Sequence, residues 1–352
     1  MCQHHPRNPI LCLIPPYLLD QIARHGNKAQ RDAALSTRAK DSTFRSLRMA
    51  AQPTRARAQA ATAFVGKRRS IYTADGTETL PGTLVRGEGQ PASGDPAVDE
   101  AYDGLGATFD FFAEVFDRNS IDDAGLALDA TVHFGKGYNN AFWNSAQMVF
   151  GDGDGQLFNR FTVALDVIGH ELAHGVTEDE AKLMYFNQSG ALNESMSDVF
   201  GSLIKQYALK QTAETADWLI GEGLFTKKIN GVALRSMKAP GTAFDDKLLG
   251  KDPQPGHMDD FVHTFDDNGG VHINSGIPNH AFYQVATRIG GPAWEKAGRI
   301  WYDTLRDPRL RPNTGFLRFA RISFDVAGRL YGVGEGPQQA VKEGWAAVGI
   351  AL

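Results

Sequence analysis

Residues 161–174 read FTVALDVIGHELAH, an apolar helical pattern that ends in two histidines. His170 and His174 are four residues apart, so on a helix they project from one face about one turn apart. Two imidazoles in that position can bind one Zn²⁺ at roughly 2.0–2.1 Å each. Glu171 lies on the adjacent strip of the helix, within reach of a metal-bound water. The apolar residues 161–169 predict that the helix leading into the site is buried.

A catalytic zinc site usually has a third protein ligand and one open position. The segment 190–198, GALNESMSD, supplies a candidate ligand in Glu194, twenty residues after His174. Asp198 follows one helical turn later, so a carboxylate ligand and a carboxylate that orients a ligand imidazole can share one helix face. Taken by itself, this segment is more typical of a solvated helix face, and a His-Glu-x-x-His pair can arise by chance.

The chain of 352 residues contains two cysteines, Cys2 and Cys12. A disulfide framework is therefore excluded, and a metal bound beyond residue 13 must be held by histidines and carboxylates. No apolar run reaches the roughly 18 residues of a membrane-spanning helix. The net charge of −5 gives no global argument for nucleic acid. We therefore expect neither a membrane nor a nucleic acid as partner.

Charge divides the chain into a basic leader and an acidic body. Residues 1–50 carry eight Lys/Arg and three Asp, a net charge of +5, which leaves −10 for the remainder. The leader is compatible with a solvated or disordered arm, and equally with a detachable segment that docks on the body. Its apolar run, 10–14, is five residues long, whereas a secretory signal has about 7–15. We expect synthesis in the cytoplasm, with a non-classical export route left open.

The hydrophobic pattern changes near residue 161. Residues 63–160 contain short β-type runs punctuated by Gly and Pro, with one predicted helix at 96–118. The sequence Gly151–Gly155 predicts a tight turn rather than a calcium loop, because the later Gly and Glu of an EF-hand are missing. Later segments have helical periodicity, and the predicted helices are 161–176, 189–210, 274–289, 292–306, 314–331 and 337–347.

These patterns predict an α+β protein with two lobes. The N-terminal lobe, 51–180, is expected to be β-rich and to include the metal-site helix 161–176, which lies between the lobes. The C-terminal lobe, 181–352, is expected to be helical.

Three further motifs lie before and after HELAH in the sequence. They are YNNAFWN at 138–144, Asn193-Glu194 with Asp198, and DNGGVHINSG at 267–276. Together the four motifs resemble the thermolysin family of zinc endopeptidases, and the resemblance runs from about residue 65 to the C-terminus. It implies that family's two-lobed fold, with Zn²⁺ held by His170, His174 and Glu194 in a cleft between the lobes. Asp198 and Asn193 are implied to lie next to these ligands.

The resemblance also implies the catalytic roles. Glu171 takes a proton from the attacking water and delivers it to the leaving amine. His272 and Tyr185 donate hydrogen bonds to the tetrahedral intermediate. Asp267, five residues before His272, holds that imidazole in the required tautomer and favours its protonated form.

Substrate binding is implied at Asn140 and Ala141, whose segment resembles an edge strand that pairs with an extended peptide. Arg235, in the sequence LRSM, matches the family's arginine that donates hydrogen bonds to a substrate carbonyl. Peptides or proteins are therefore the expected substrates, with a bulky apolar residue preferred after the cut bond. The alternatives are a catalytically idle relative that only binds, and a zinc hydrolase that acts on something other than peptides.

One departure from the family concerns calcium. Asp166, Asp217 and Glu222 match a carboxylate cluster that binds calcium in other members, whereas other acidic positions of that cluster hold Lys205, Leu219 and Gly223. Because Ca²⁺ needs about six to eight oxygen ligands, we predict that the paired calcium site is absent. An Asp166–Lys205 ion pair is the expected substitute.

The leader resembles the short prosegments of the protealysin-like branch, where a Pro-Pro-Tyr motif followed by leucines recurs; here the sequence PPYLL spans 15–19. Residues 1–50 are therefore expected to form an inhibitory prosegment that is cut off near 40–60. Cys12 lies three residues before this motif, and its thiolate is a candidate to occupy the open zinc position. The alternative is that Cys12 is a small buried apolar residue in a docked leader.

Overall fold

The computed structural model describes residues 11–50 and 66–352, without the side chains of Leu11 and residues 44–50. Most of the region predicted for leader cleavage, 40–60, lies outside these residues or their described side chains, as does Cys2.

A six-stranded sheet forms the base of the N-terminal lobe. Its strands are β1 (Leu11–Cys12), β2 (Arg69–Thr73), β3 (Thr83–Gly87), β4 (Leu128–Val132), β5 (Ala141–Trp143) and β6 (Met148–Phe150). The order across the sheet is β1-β5-β6-β4-β2-β3, with parallel pairing of β2 with β4 and of β4 with β6. Five of the six strands fall in the region predicted to be β-rich. The sixth strand, β1, comes from the leader and was not predicted.

Helix α3 (Pro96–Phe116) packs against this sheet. The Asp95 carboxylate accepts a hydrogen bond from the Ala97 backbone amide at 2.9 Å. Pro96 suits the first position of the helix because proline has no backbone N–H that would be left without an acceptor. The helix ends at Asp117, in the left-handed region at φ 56°. The prediction of a helix at 96–118 is therefore confirmed to within two residues.

The metal-site helix α4 spans Leu165–Glu180, so the predicted bounds of 161–176 were wrong by four residues at each end. At the start, the Phe161 amide donates to a carbonyl of the preceding glycine turn at 3.1 Å, which keeps this segment out of the helix. At the end, the buried Arg118 guanidinium lies 3.0 Å from Asp179 and stabilises an additional helical turn.

Two glycines allow α4 to pack closely on helix α5 (Asn187–Leu209). A Cβ on Gly201 would lie 2.3 Å from the Asp166 carbonyl oxygen, and a Cβ on Gly169 would lie 2.7 Å from Ile204 Cδ1. Any larger residue at either position would push the two helices apart. This close contact brings the α5 carboxylates towards the histidines of α4.

The C-terminal lobe is mostly helical. Its helices are α6 (Asp267–Asn274), α7 (Gly276–Ile289), α8 (Ala297–Leu305), α9 (Phe316–Tyr331) and α10 (Gly336–Ala346), with a 3₁₀ turn at Met258–Asp260. Two short antiparallel pairs join β7 (Leu219–Ile220) to β8 (Arg235–Ser236) and β9 (Asp245–Asp246) to β10 (Gly250–Lys251).

Four predicted helices correspond to α5, α7, α9 and α10 to within two residues. The helix predicted at 292–306 begins only at Ala297, and the kinked α6 was missed because glycines interrupt its helical pattern. No helix in the described part of the chain is long and apolar enough to cross a bilayer.

The described part of the leader docks on the body rather than standing in solvent. Strand β1 pairs antiparallel with β5, with Leu11 opposite Trp143 and Cys12 opposite Phe142. Helix α1 (Pro16–His25) inserts apolar side chains into the main core, and helix α2 (Lys28–Ala50) packs on α1. The interpretation of the leader as a solvated arm is therefore wrong for these residues.

Candidate active site

Three buried side chains converge between α4 and α5. The Nε2 atoms of His170 and His174 are 3.0 Å apart, and each lies 3.6 Å from an oxygen of Glu194. Within residues 11–50 and 66–352, these three form the one group of His, Cys, Asp and Glu side chains whose ligand atoms all lie close enough to hold a metal, within 4.8 Å of one another. The structure thus brings together the three residues predicted to bind zinc.

The opposite edges of both imidazoles are held by neighbours. His170 Nδ1 lies 2.8 Å from Asp198 Oδ1, and His174 Nδ1 lies 2.8 Å from both Asn193 Oδ1 and Ser197 Oγ. A carboxylate or amide oxygen at Nδ1 fixes the proton there and leaves the Nε2 lone pair directed into the site. Burial lowers the pKa of His174 to about 3, so this ring stays neutral, the form that binds a metal.

These groups fit a zinc ion. Two imidazole lone pairs that face each other repel unless a cation lies between them, and Glu194 Oε2 has no hydrogen-bond partner among the described residues. Two histidines and a glutamate form a ligand set found in catalytic zinc sites.

The Asp198 carboxylate connects the metal group to the C-terminal lobe. Arg235, in β8, donates to it through Nε at 2.8 Å and Nη2 at 2.7 Å, and Asn279 Nδ2 in α7 donates at 2.8 Å. Burial opposes ionisation, but Arg235 and His170 hold the pKa of Asp198 well below its usual range. Arg235 was predicted to bind substrate, and its Nη1 has no hydrogen-bond partner within the described chain.

On another side of the site, Tyr185 and His272 point towards Glu194. The Tyr185 hydroxyl donates to Glu194 Oε1 and lies 3.1 Å from His272 Nε2. His272 Nδ1 lies 2.6 Å from Asp267 Oδ1, and its backbone amide donates to Asp267 Oδ2 at 2.8 Å. Although burial opposes it, the carboxylates of Asp267 and Glu194 raise the pKa of His272, which favours its protonated form.

A left-handed kink in α6 allows the Asp267–His272 contact. Asp267, Asn268, Gly269 and Gly270 all have positive φ, between 52° and 83°. A Cβ on Gly270 would lie 2.9 Å from Asn274 Nδ2. This turn folds the carboxylate back over the imidazole five residues later, which an unbroken helix would not do.

Glu171 is fully buried beside the edge strand. Its Oε2 accepts a hydrogen bond from the Trp143 backbone amide at 3.1 Å, and its Oε1 has no such partner in the described residues. Burial, and then the nearby Glu194 carboxylate, raise the pKa of Glu171 well above its usual value. A carboxylate with a raised pKa is suited to accept a proton and pass it on.

The leader lies on the edge predicted to bind a peptide. Leu13 donates its amide to the Ala141 carbonyl at 3.2 Å, and Ile14 donates its amide to Asn140 Oδ1 at 2.9 Å. The Cys12 carbonyl oxygen lies 3.0 Å from His272 Nε2.

The Cys12 side chain, however, does not reach the metal group. It packs in a separate apolar cluster with Phe134, Tyr138, Phe142 and Val149, and the group able to hold a metal does not include it. The prediction that its thiolate blocks zinc is therefore wrong for this structure. In a paired strand the side chains alternate between the faces of the sheet, and the register places the Cys12 side chain beside Phe142, away from the histidines.

The predicted Asp166–Lys205 ion pair is confirmed. Lys205 Nζ lies 2.8 Å from Asp166 Oδ2 and 2.9 Å from Asp217 Oδ1, and it donates to the Leu219 carbonyl at 2.9 Å. The chain turns slightly later than the predicted Gly151–Gly155 turn: Asp154 Oδ1 accepts hydrogen bonds from the backbone amides of Gln156, Leu157 and Phe158.

Sequence reasoning missed four polar groups around the site: the Cys12 carbonyl and the side chains of Ser197, Asn279 and Gln254. Gln254 Nε2 donates to the His272 carbonyl at 2.8 Å and to Ser275 Oγ at 3.0 Å. Ser197 follows Asn193 by four residues on α5, so helical spacing was a usable signal for it. Asn279 and Gln254 gave no such signal, because folding alone brings them to the site.

The fold and this site define a class of protein, and two family models match the chain. The model described as "Thermolysin metallopeptidase, catalytic domain" matches residues 28–178, and the one described as "Thermolysin metallopeptidase, alpha-helical domain" matches residues 181–350. The chain belongs to the thermolysin metallopeptidase family. It is therefore a metalloprotease, and its family depends on zinc.

Individual relatives place it more narrowly, in the protealysin-like part of that family. It is 54% identical over 344 residues to an "Extracellular metalloprotease" of Pectobacterium carotovorum subsp. carotovorum, covering 98% of this chain and 97% of that one. It is 52% identical to "Protease PrtS" of a Photorhabdus species, covering 97% and 92%. A solved structure, "Precursor of Protealysin, Metalloproteinase from Serratia proteamaculans", is similar with a TM-score of 0.88 and 55% identity, over 97% of this chain and all of that one.

Proposed function

We propose that this protein is a zinc-dependent endopeptidase that cuts peptide bonds by attack of a water molecule, and that it is made as a self-inhibited precursor. The single observation that carries the proposal is the convergence of His170, His174 and Glu194 beside a buried, partly unpaired Glu171. Residues 1–50 are the inhibitory prosegment in this proposal, 51–180 the lobe that carries the zinc helix, and 181–352 the helical lobe.

His170, His174 and Glu194 hold the zinc. Bound there, zinc supplies a Lewis acid for a water molecule and for the substrate carbonyl. Asp198, Asn193 and Ser197 keep the imidazoles oriented, because each accepts or donates at an Nδ1 atom.

Glu171 is the proton carrier of the reaction. Its raised pKa and the absence of a partner for Oε1 within the described residues support this role. It accepts the proton of the attacking water and delivers it to the nitrogen of the leaving amine.

Tyr185 and His272 stabilise the oxygen that becomes negatively charged when the carbonyl carbon is attacked. The hydroxyl and Nε2 lie 3.1 Å apart, so one oxygen can accept from both. Asp267 positions the His272 ring and favours its protonated form. Loss of one such donor typically costs about 2.7–4 kcal/mol of transition-state stabilisation.

The substrate binds as an additional strand along β5. Ala141 offers its carbonyl, Asn140 its side-chain oxygen and Arg235 its remaining Nη1 protons to the peptide backbone. Backbone contacts of this kind accept many sequences, so selectivity comes from side-chain pockets, and we propose a preference for a bulky apolar residue after the cut bond. The fully buried leader residue Leu13 on this edge supports that preference.

Self-inhibition is supported by the docked leader, which covers the same edge, and by the solved relative, which is itself named as a precursor. We also propose that the paired calcium site is absent, because the Lys205 ammonium lies among the Asp166, Asp217 and Leu219 oxygens.

The test is a comparison of the matured wild type with Glu171→Gln whose leader has been removed by added wild-type enzyme that is then separated, because the variant cannot mature by itself. We expect casein hydrolysis to fall by about 10²–10⁴-fold or more, because the proton carrier is lost, while the variant retains one zinc per chain by elemental analysis. Glu178→Gln, the same change seven residues later at a partly exposed position of α4, is the matched control and should keep wild-type activity. A fully active Glu171→Gln would overturn the mechanism, and a zinc-free wild type that still hydrolyses casein would overturn zinc dependence.

A further inference from the structure

The docked leader contacts the site through the backbone groups of three consecutive residues, each matched to a different residue of the site. Cys12 presents its carbonyl to His272 Nε2 at 3.0 Å, and Leu13 gives its amide to the Ala141 carbonyl at 3.2 Å. Ile14 gives its amide to Asn140 Oδ1 at 2.9 Å. These are the backbone contacts that a bound substrate strand would use.

The position of one carbonyl identifies which bond lies at the reacting centre. His272 Nε2 is also 3.1 Å from the Tyr185 hydroxyl and 3.6 Å from Glu194 Oε2. The Cys12 carbonyl therefore contacts one of the donors that would stabilise a developing negative charge, and the ring nitrogen of that donor also lies close to Tyr185 and to the predicted metal ligand Glu194. That carbonyl belongs to the peptide bond between Cys12 and Leu13.

We propose that the leader occupies the site in the register of a substrate, with Cys12–Leu13 in the reacting position, so that this bond is an internal cleavage site of the precursor. The inference rests on the proposed peptidase function. Leu13 fills the pocket for the residue after the cut bond, which agrees with its complete burial in the main core.

The reaction needs no co-reactant other than water. Water adds to the Cys12 carbonyl carbon, and Glu171 takes the proton that the water loses. The C–N bond then breaks, and the proton passes to the Leu13 nitrogen. The products are a chain that ends in the Cys12 carboxylate and a chain that begins with the Leu13 amine.

Cleavage at this bond does not release the leader, because its anchors lie on the far side of the cut. Leu18, Leu19 and Ile22 of α1 remain buried in the main core. The Asp41 carboxylate of α2 accepts from the Tyr138 hydroxyl at 2.5 Å and from Asn140 Nδ2 at 2.9 Å. The cut chain therefore stays docked, and the site stays blocked until the leader is removed at its junction with the body.

The experiment follows the zinc-loaded, full-length precursor over time by mass spectrometry under denaturing conditions, in water enriched in ¹⁸O. We expect two products, residues 1–12 with ¹⁸O in the Cys12 carboxylate and a chain that starts at Leu13, at a rate independent of protein concentration. Casein hydrolysis should stay low while these products accumulate. The Glu171→Gln precursor should yield neither product.

Substitutions in the leader test the register. Leu13→Asp places a charge in an apolar pocket, and we expect it to slow this cut at least tenfold. Leu35→Asp, the same change at a leader position that is 48% exposed, should leave the rate unchanged. Absence of a chain that starts at Leu13, or a cut at a neighbouring bond instead, in a sample whose matured form hydrolyses casein, would overturn the register. Matured protein that fails to hydrolyse casein would overturn the proposed function itself.

Discussion

Asp198 shows how one buried carboxylate fixes several side chains at once. It accepts hydrogen bonds from Arg235 and Asn279, and it holds His170 through Nδ1. Its pKa lies well below the usual range, so it stays ionised and keeps the His170 proton on Nδ1. The Nε2 lone pair is then available to a metal.

Asn279 is predicted to act on zinc through Asp198. In Asn279→Ala the carboxylate loses one of its donors and can rotate, so we expect zinc affinity, measured by competition with a chromogenic chelator, to fall by about 10-fold. Asn313→Ala, at an exposed position, is the control and should bind zinc as the wild type does. Unchanged affinity in Asn279→Ala would show that Arg235 suffices to hold Asp198.

His133, directly after β4, lies between two carboxylates outside the predicted metal site. Its Nδ1 lies 2.9 Å from Asp152 and its Nε2 lies 2.9 Å from Asp95, the residue that caps α3. The hydrogen bond to Asp152, opposed by partial burial and assisted by the charges of Asp152 and Asp95, raises the pKa of His133 to about 9.

The stability of the protein is predicted to depend on the ionisation of His133. A pKa raised on folding contributes stability that is complete below the unfolded value of about 6.5 and is lost as the pH rises through about 9. In a Glu171→Gln background that prevents self-digestion, the urea midpoint should fall between pH 7 and 10 more steeply than in His133→Asn. Asparagine is the suitable replacement because it tolerates the φ of 55°. Parallel pH curves would contradict the assignment.

Lys205 joins three elements through a single ammonium group. It reaches Asp166 at the start of α4, Asp217 and the Leu219 carbonyl in β7 from its place in α5. Burial disfavours the charge, but the Asp166 and Asp217 carboxylates raise the pKa of Lys205 and keep it protonated. The Lys205 ammonium group thus neutralises the Asp166 carboxylate in the first turn of the metal-site helix.

We therefore predict that calcium does not stabilise this region. The thermal midpoint of the Glu171→Gln precursor should be the same in calcium and in magnesium. Lys205→Met should lower the free energy of unfolding by about 3–5 kcal/mol, because it leaves Asp166 buried without its cation. Lys342→Met, at an exposed position of α10, is the control. Calcium-dependent protection of wild type that Asp166→Ala abolishes would contradict this prediction.

The molecule as a whole combines an acidic body with a basic leader that contacts both the cleft and the sheet. Long-range attraction favours docking of opposite charges, and the buried contacts of α1 and α2 then fix the position. Thr37 Oγ1 accepts from the Asn139 amide at 3.0 Å, one helical turn before Asp41. Two parts of the leader therefore hold it at the substrate edge: β1 pairs with β5, and α2 contacts Asn139 and Asn140.

Asp41 is predicted to control latency. In Asp41→Ala the Tyr138 hydroxyl and the Asn140 amide lose a buried charged acceptor, a loss of about 1.5–3 kcal/mol. We expect the freshly purified precursor to hydrolyse a peptide substrate about 10-fold faster than the wild-type precursor and to mature sooner. Asp32→Ala, an exposed change on the same helix, should retain wild-type latency. If the two variants are equally latent, the buried contacts of α1, and not Asp41, keep the leader over the site.

Much of the site could be predicted from the sequence because its parts are local. The four-residue spacing of the histidines and of Glu194 with Asp198 is read directly from helical geometry. The helix bounds of α4 could not be predicted, because the Phe161 amide and the Asp179 carboxylate take partners from distant segments.

Residue type and spacing predict the candidate metal ligands His170, His174 and Glu194, and they predict a β-rich lobe followed by a helical lobe. The Asp166–Lys205 pair, in contrast, was predicted from the resemblance to the family. Long-range packing sets the orientation of Cys12, the register of the leader and the contacts of Asn279 and Gln254. The Cys12 carbonyl and His272 are separated by 260 positions in the sequence. A shift of one residue in the pairing of β1 with β5 would turn the Cys12 side chain to the other face of the sheet and would remove its carbonyl from His272. Strand register is set by packing on both faces, which local patterns do not encode.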